Sequence, residues 1–384
     1  MFKKMIALIL ACMLLAMCLL TGCGGENNTP TEPQKSNVKF EELVDFVIHA
    51  EEGREFRILQ LTDIQIGDLS TDRVPGRSDD TTPLTEEELY NDSFYYIEET
   101  VKQANPDLII VTGDNIHGEF DDNGFCTEKL VAFMETLEIP WAPVFGNHDN
   151  ETAKGVTWQC QQFEQAEHCL FKRGDITGNG NYTIGVEQGG KLIKVIYMMD
   201  SNGCALGQTY TTMPSFGEIN QGENIRTIEG FGEDQLQWLD VTSLRITASL
   251  RYTPSKFVAF HIPLTEYYDA LVSKGYLSSA RQKIEINDPT GTDFGVKQED
   301  VLSIKDPQMW ELLKKHNFDG VFAGHDHLNN FSVVYENIRL TYGAKTGHFA
   351  SHLPNMTGGT LITVAEGGET FQVEHIFIPD RVAE

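Results

Sequence analysis

The sequence predicts an α/β fold, a β-sandwich with helices on both outer faces, four layers in the order αββα. Three observations point to it: apolar strands that each run into a polar residue, amphipathic helices alternating with them, and a C-terminal series of short strands without helices between them. Phe56 to Thr62 is an alternating-to-apolar strand ending on Asp63. A helix over roughly 86–103 follows, Pro106 resets the chain, and Asp107 to Thr112 runs into Gly113-Asp114. Next come an amphipathic helix near 128–137 and a strand from Trp141 to Phe145, which leads into Gly146-Asn147-His148-Asp149. Such βαβ units place polar residues just past the carboxyl ends of parallel strands, where open α/β sheets bind ligands. Later strands near 192–199, 256–260 and 318–323 end on Asp200, His261 and Gly324-His325-Asp326-His327, and helices are expected near 233–244 and 307–316. Segments near 331–335, 339–342, 361–364 and 371–377 read as an antiparallel meander.

Lys3 and Lys4 precede an uncharged apolar run from Met5 to Leu20, which reads as an export signal over residues 1–22. The run ends in Leu20-Thr21-Gly22-Cys23, which resembles the bacterial lipoprotein processing site; an ordinary cleaved signal with a chance Cys is the alternative. The resemblance implies lipidation at Cys23 and an extracytoplasmic protein anchored by lipid to the bacterial cell membrane. Residues 23–40, rich in Gly, Asn, Thr, Pro and Glu, read as a flexible linker, and 41–384 as one large domain, since no second linker or repeat interrupts it. A net charge of −28 argues against a nucleic-acid partner and against docking on anionic lipid. Of seven Cys, Cys12 and Cys18 leave with the signal. Cys160 and Cys169 either close a disulfide loop or stay, with Cys126 and Cys204, as partly buried thiols.

Singly, loop Asp, Asn and His residues cap helices or make turns. In series, Asp63, Gly113-Asp114, Gly146-Asn147-His148-Asp149, His261 and Gly324-His325-Asp326-His327 each follow a predicted strand. These motifs resemble the calcineurin-like metallophosphoesterase superfamily, purple acid phosphatases included, over residues 54–377. The resemblance implies a dinuclear centre bridged by Asp114, with Asp63 and His327 on the first metal and Asn147, His261 and His325 on the second. It also implies that His148, held by Asp149, stands beside the substrate. Chemistry agrees independently: two cations about 3.5–4 Å apart repel and need a shared anionic oxygen. Mixed imidazole and oxygen donors suit two divalent or trivalent ions, Fe, Mn or Zn foremost. The implied activity is hydrolysis of small-molecule phosphate esters by an activated water, with no Ser or Cys nucleophile.

The sequence departs from that pattern at Asp63-Ile64-Gln65, where Asp-x-His is the common form. Purple acid phosphatases also lack that His and use a Tyr three residues beyond the bridging Asp, where this chain has His117. His117 is therefore expected to supply the missing ligand, a loop His facing water being the alternative and the Gln65 amide oxygen a substitute ligand; with His117 in that role, the purple colour of Tyr-ligated relatives is expected to be absent. Tyr267, Tyr268, Lys345, His348 and His352 are candidates to line the cleft, whereas Asp200 reads as a turn residue. Polar stretches over 67–92, 201–232 and 265–300 have the length of functional loops. Phosphomonoesters are the favoured substrates. Phosphodiesters of the nucleotide or glycerophosphodiester type, a member that has lost one metal, and a non-catalytic binding lipoprotein are the alternatives.

Overall fold

The computed structural model describes residues 38–67, 86–118, 121, 123–152, 154–203, 229–348 and 350–380. The expected export signal, Cys23, most of the linker, Cys204 and much of the 67–92 and 201–232 stretches lie outside the described residues.

Along the chain the strands are β1 (Phe46–His49), β2 (Phe56–Leu61), β3 (Leu108–Thr112), β4 (Trp141–Val144), β5 (Tyr182–Gln188) and β6 (Lys191–Met198). There follow β7 (Ser255–Ala259), β8 (Ile284–Glu285), β9 (Val296–Lys297), β10 (Gly320–Ala323), β11 (Ser332–Tyr335), β12 (Ile338–Tyr342), β13 (Thr357–Val364) and β14 (Phe371–Ile378). They form a seven-stranded sheet, β1-β5-β6-β7-β10-β12-β11, a five-stranded sheet, β14-β13-β2-β3-β4, and the small pair β8-β9. Within the smaller of the two main sheets β2, β3 and β4 are parallel, and within the larger β6, β7, β10 and β12 are parallel.

Buried parallel strands need apolar residues on both faces, and the side-chain period of two divides them. Phe257 and Ala259 of β7 join one core with Ile184, Ile58 and Ile109, while Val258 and Phe260 join another with Leu239, Leu313 and Leu271. The first core lies between the two sheets and reaches the helices Glu86–Ala104 and Phe125–Thr136; the second lies under the helices Glu233–Leu250, Glu266–Ser273 and Pro307–Lys315. The αββα sandwich is thus the observed arrangement. Local chemistry starts the last of these helices: Asp306 Oδ1 accepts the Met309 N–H at 3.0 Å, and Pro307 occupies the first turn where no N–H is needed.

The expected C-terminal meander is divided between the sheets. β12 pairs parallel with β10 and antiparallel with β11, whereas β13 and β14 pair antiparallel and β13 covers the free edge of β2. The stretch 265–300 carries the helix Glu266–Ser273 and the β8-β9 pair, so it is not a plain loop. Cys126, Cys160 and Cys169 are buried, and Cys160 and Cys169 are not joined by a disulfide, which decides against that bridge.

Candidate metal centre

Carboxyl ends of strands from both sheets meet at one place. From the five-stranded sheet β2 delivers Asp63, β3 delivers Asp114 and β4 leads to Asn147 and His148; from the other, β7 leads to His261 and β10 to His325 and His327. Asp63 (φ +51°), Gln65 (φ +51°), Asp114 (φ +48°) and His325 (φ +82°) all hold left-handed backbone, a conformation non-glycine residues keep only where the surroundings dictate it. Two glycines make the close approach possible. A Cβ on Gly113 (φ +85°) would fall 2.6 Å from Cβ of His261, and one on Gly146 would fall 2.2 Å from Asp114 Oδ1.

His261 is fully buried, and its Nδ1 lies 2.9 Å from the Thr112 carbonyl, so Nδ1 donates and Nε2 faces the centre. Nε2 is 3.0 Å from Asn147 Oδ1 and 3.3 Å from Asp114 Oδ1. An imidazole nitrogen, an amide oxygen and a carboxylate oxygen thereby converge on one point, a grouping that a proton on Nε2 or a cation reconciles. Burial disfavours the charged ring, but Asp114 and Asp63 outweigh it and raise its pKa to about 10. The His325 ring sits edge-on to that of His261, centroids 5.1 Å apart. Burial and the charge of His261 press its pKa down to about 3, leaving a neutral imidazole.

Asp63, Asp114 and His327 form a second grouping, with one ligand atom of each within 4.8 Å of the others. His327 Nε2 is 3.5 Å from Asp63 Oδ1, and Asp63 Oδ2 accepts from Thr62 Oγ1 at 2.8 Å and from the His325 N–H at 3.1 Å. Burial works against the Asp63 carboxylate, yet His327 and His261 hold it down to about 2. Between His325 and His327, Asp326 turns away to meet the Tyr342 hydroxyl and the Leu302 N–H. The oxygen-and-imidazole donors present fit transition-metal ions in both groupings, with Asp114 common to them.

Gln65 stands at the sequence position of the missing imidazole, and its side chain bridges two charged groups. Its Nε2 donates to Asp114 Oδ2 at 3.0 Å, and its Oε1 accepts from Lys345 Nζ at 2.8 Å. An ammonium on one side and a carboxylate on the other allow only this amide orientation, so the amide oxygen expected as a substitute ligand is engaged by Lys345.

His148 has a different partner from the one expected. A short 3-10 turn over Asp149–Glu151 folds the chain back so that Glu151 Oε2 lies 2.8 Å from His148 Nδ1. Asp149 instead accepts backbone N–H groups of Gly146 (2.7 Å), Asn115 (3.2 Å) and Ile116 (3.0 Å), because its carboxylate points under the loop rather than toward the imidazole. Burial lowers the His148 pKa, but Glu151 and Asp114 more than compensate and carry it to about 9. The His117 ring rests against His148, centroids 4.1 Å apart, and its ligand atoms cluster with those of His148 and Glu151. His117 thus stands with His148 and Glu151, in a grouping of potential metal ligands separate from that of Asp63, Asp114 and His327.

The chain matches the calcineurin-like phosphoesterase family over residues 56–329. It belongs to that family. This calcineurin-like phosphoesterase is 26% identical over 322 residues to "Probable inactive purple acid phosphatase 14" of Arabidopsis thaliana, covering 77% of this chain and 71% of that protein. It is 25% identical over 301 residues to "Phosphatase DCR2" of Saccharomyces cerevisiae, covering 74% of this chain and 46% of that one. Among solved structures, the purple acid phosphatase PPD1 from yellow lupin (Lupinus luteus) seeds aligns with a TM-score of 0.41 at 11% identity, over 82% of this chain and 50% of that one.

The other sequence candidates in this calcineurin-like phosphoesterase fall out differently. Tyr267 is fully buried and donates to the Val321 and Thr341 carbonyls, so it belongs to the core rather than the cleft; Tyr268 is only partly buried beside the same core. Asp200 accepts the Asn179 and Asn202 N–H groups at 2.7 Å each, the turn role expected of it. His348 is stacked between Tyr96 and His352, centroids 4.1 and 4.2 Å away. Sequence reasoning missed Glu151 and the Gln65–Lys345 contact. The first had a signal, an acid three residues after His148; the second joins residues 280 positions apart and had none.

Proposed function

We propose that this chain is a metal-dependent phosphomonoesterase. The observation that carries the reading is the shared carboxylate: Asp114 Oδ1 lies 3.3 Å from His261 Nε2, and Asp114 also closes the grouping with Asp63 and His327. Asp63, Asp114 and His327 would hold one ion, and Asp114, Asn147, His261 and His325 the other. When bound, such ions supply Lewis acidity toward phosphoryl oxygens and a lowered pKa for water. The chain's own groups do the rest. Thr112 fixes the His261 tautomer, the Thr62 hydroxyl and the His325 N–H orient Asp63, and the His148 N–H steadies Asp114 at 2.9 Å. His148, kept protonated by Glu151, can donate to a phosphoryl oxygen or to the leaving alkoxide.

Among the relatives, one is named a phosphatase and another a probable inactive purple acid phosphatase, which makes turnover the property to assay. The test is a panel of aryl phosphate mono- and diesters assayed after chelation and re-addition of Mn²⁺, Zn²⁺ or Fe²⁺, on wild type and Asp114→Asn. Monoester hydrolysis that returns with metal and disappears, together with bound metal, in Asp114→Asn is expected. A folded, metal-loaded wild type that cleaves no ester overturns the proposal, and cleavage of diesters alone moves it to a phosphodiesterase.

A further inference from the structure

We infer that Lys345 is a fixed cation built into the first metal grouping, making the two metal positions unequal. An ion held by Asp114, Asn147, His261 and His325 is tight, and one at Asp63, Asp114 and His327 is weak and exchangeable. This rests on the metal-centre reading above. Lys345, just past β12, is 4% exposed, and its Nζ donates to the Asp63 carbonyl and to Gln65 Oε1, both at 2.8 Å. Gln65 Nε2 passes the contact on to Asp114 Oδ2 at 3.0 Å. A buried ammonium is therefore wired through one amide to the carboxylate the two positions share.

Three consequences bear on the first position alone. A positive charge inside the same buried cluster repels a second cation, and low-dielectric surroundings strengthen that repulsion. The Gln65 N–H engages a lone pair on Asp114 Oδ2 that an ion would otherwise use. Position 65 carries no imidazole to offset either effect. The second position is spared, since Asp114 Oδ1, Asn147 Oδ1 and His261 Nε2 converge on the other side of the carboxylate. Asp63 and Asp114 hold left-handed backbone, which leaves little freedom to retreat from the ammonium. A purely structural lysine is the competing account, because the same loop is tied to the residue just after β2 by the Thr346 N–H on the Thr62 carbonyl.

The full-length protein, stripped and titrated with Mn²⁺ alone by calorimetry, distinguishes them. Wild type is expected to bind in two steps whose affinities differ at least about ten-fold, and to retain about one ion per chain after dialysis. Lys345→Met should close that gap chiefly by tightening the weaker step. Gln65→His, which replaces the amide with an imidazole, should tighten the same step if the Met variant fails to fold. Two wild-type ions of equal affinity, or a folded Lys345→Met with the gap intact, overturn the inference. Binding of no Mn²⁺ at all would instead overturn the metal-centre reading on which it rests.

Discussion

Glu151→Gln keeps the side-chain shape and removes the charge that faces His148. The Nδ1 to Oε2 distance is 2.8 Å, with the Glu151 side chain fully buried and that of His148 13% exposed. At that separation the Coulomb attraction is about 6 kcal/mol for an effective dielectric of about 20, and burial of the imidazolium offsets much of it. An opposite charge this close is worth about 1–3 pKa units, so the variant's His148 is expected to fall from about 9 to about 6–8. If protonated His148 serves hydrolysis, wild-type kcat/KM for an aryl phosphate declines as pH rises through about 9, and the variant's alkaline limb moves down by that same interval. Stability should follow with a definite sign. A raised folded-state pKa stabilises fully below the ordinary histidine value and loses its contribution as pH rises through about 9. The urea-measured advantage of wild type, about 1–4 kcal/mol at mildly acid pH, should therefore shrink in alkali. An alkaline limb at the same pH in both proteins, with the variant folded, refutes the assignment of Glu151.

Two further substitutions separate neighbouring roles. Asp149→Asn turns an amide N–H toward backbone donors and should cost about 2–4 kcal/mol in urea unfolding while leaving the alkaline limb in place. A limb displaced as far as in Glu151→Gln would mean that Asp149, after all, governs His148. Gly146→Ala places a methyl 2.2 Å from Asp114 Oδ1, so a loss of about 1–3 kcal/mol and of bound metal are expected together; wild-type stability and metal content in that variant would contradict the close packing.

The site was more legible than the sheets that carry it. Asp63, Asp114, Asn147, His261, His325 and His327 announce themselves because each follows an apolar run, and a strand's end can be read from its own residues. Pairing cannot. β12 and β13 both read as short strands, yet one extends the large sheet and the other crosses to β2, a choice made by which edge is free in three dimensions. β1 and β5 escaped notice for a related reason: β1 is only four residues, and the two steady each other through a parallel pairing 138 positions apart, as the Asp45 and Thr183 contacts show. Asp149 misled because the family resemblance implied that it holds His148, whereas a one-turn helix brings the residue three positions away, Glu151, onto the ring.

The centre straddles the sandwich. Thr112 and His261 are separated by 149 residues and Asp63 and His325 by 262, with one member of each pair at the end of each sheet. Those contacts cannot form until both halves of the chain have assembled and docked, which makes them among the most entropically demanding in the molecule. An ion gripped from both sides would act as a rivet between the two sheets. Because it would bind only the docked arrangement, cohesion of the halves would rise with the logarithm of free metal concentration, and chelation would loosen the join before it touched either sheet's own ladder.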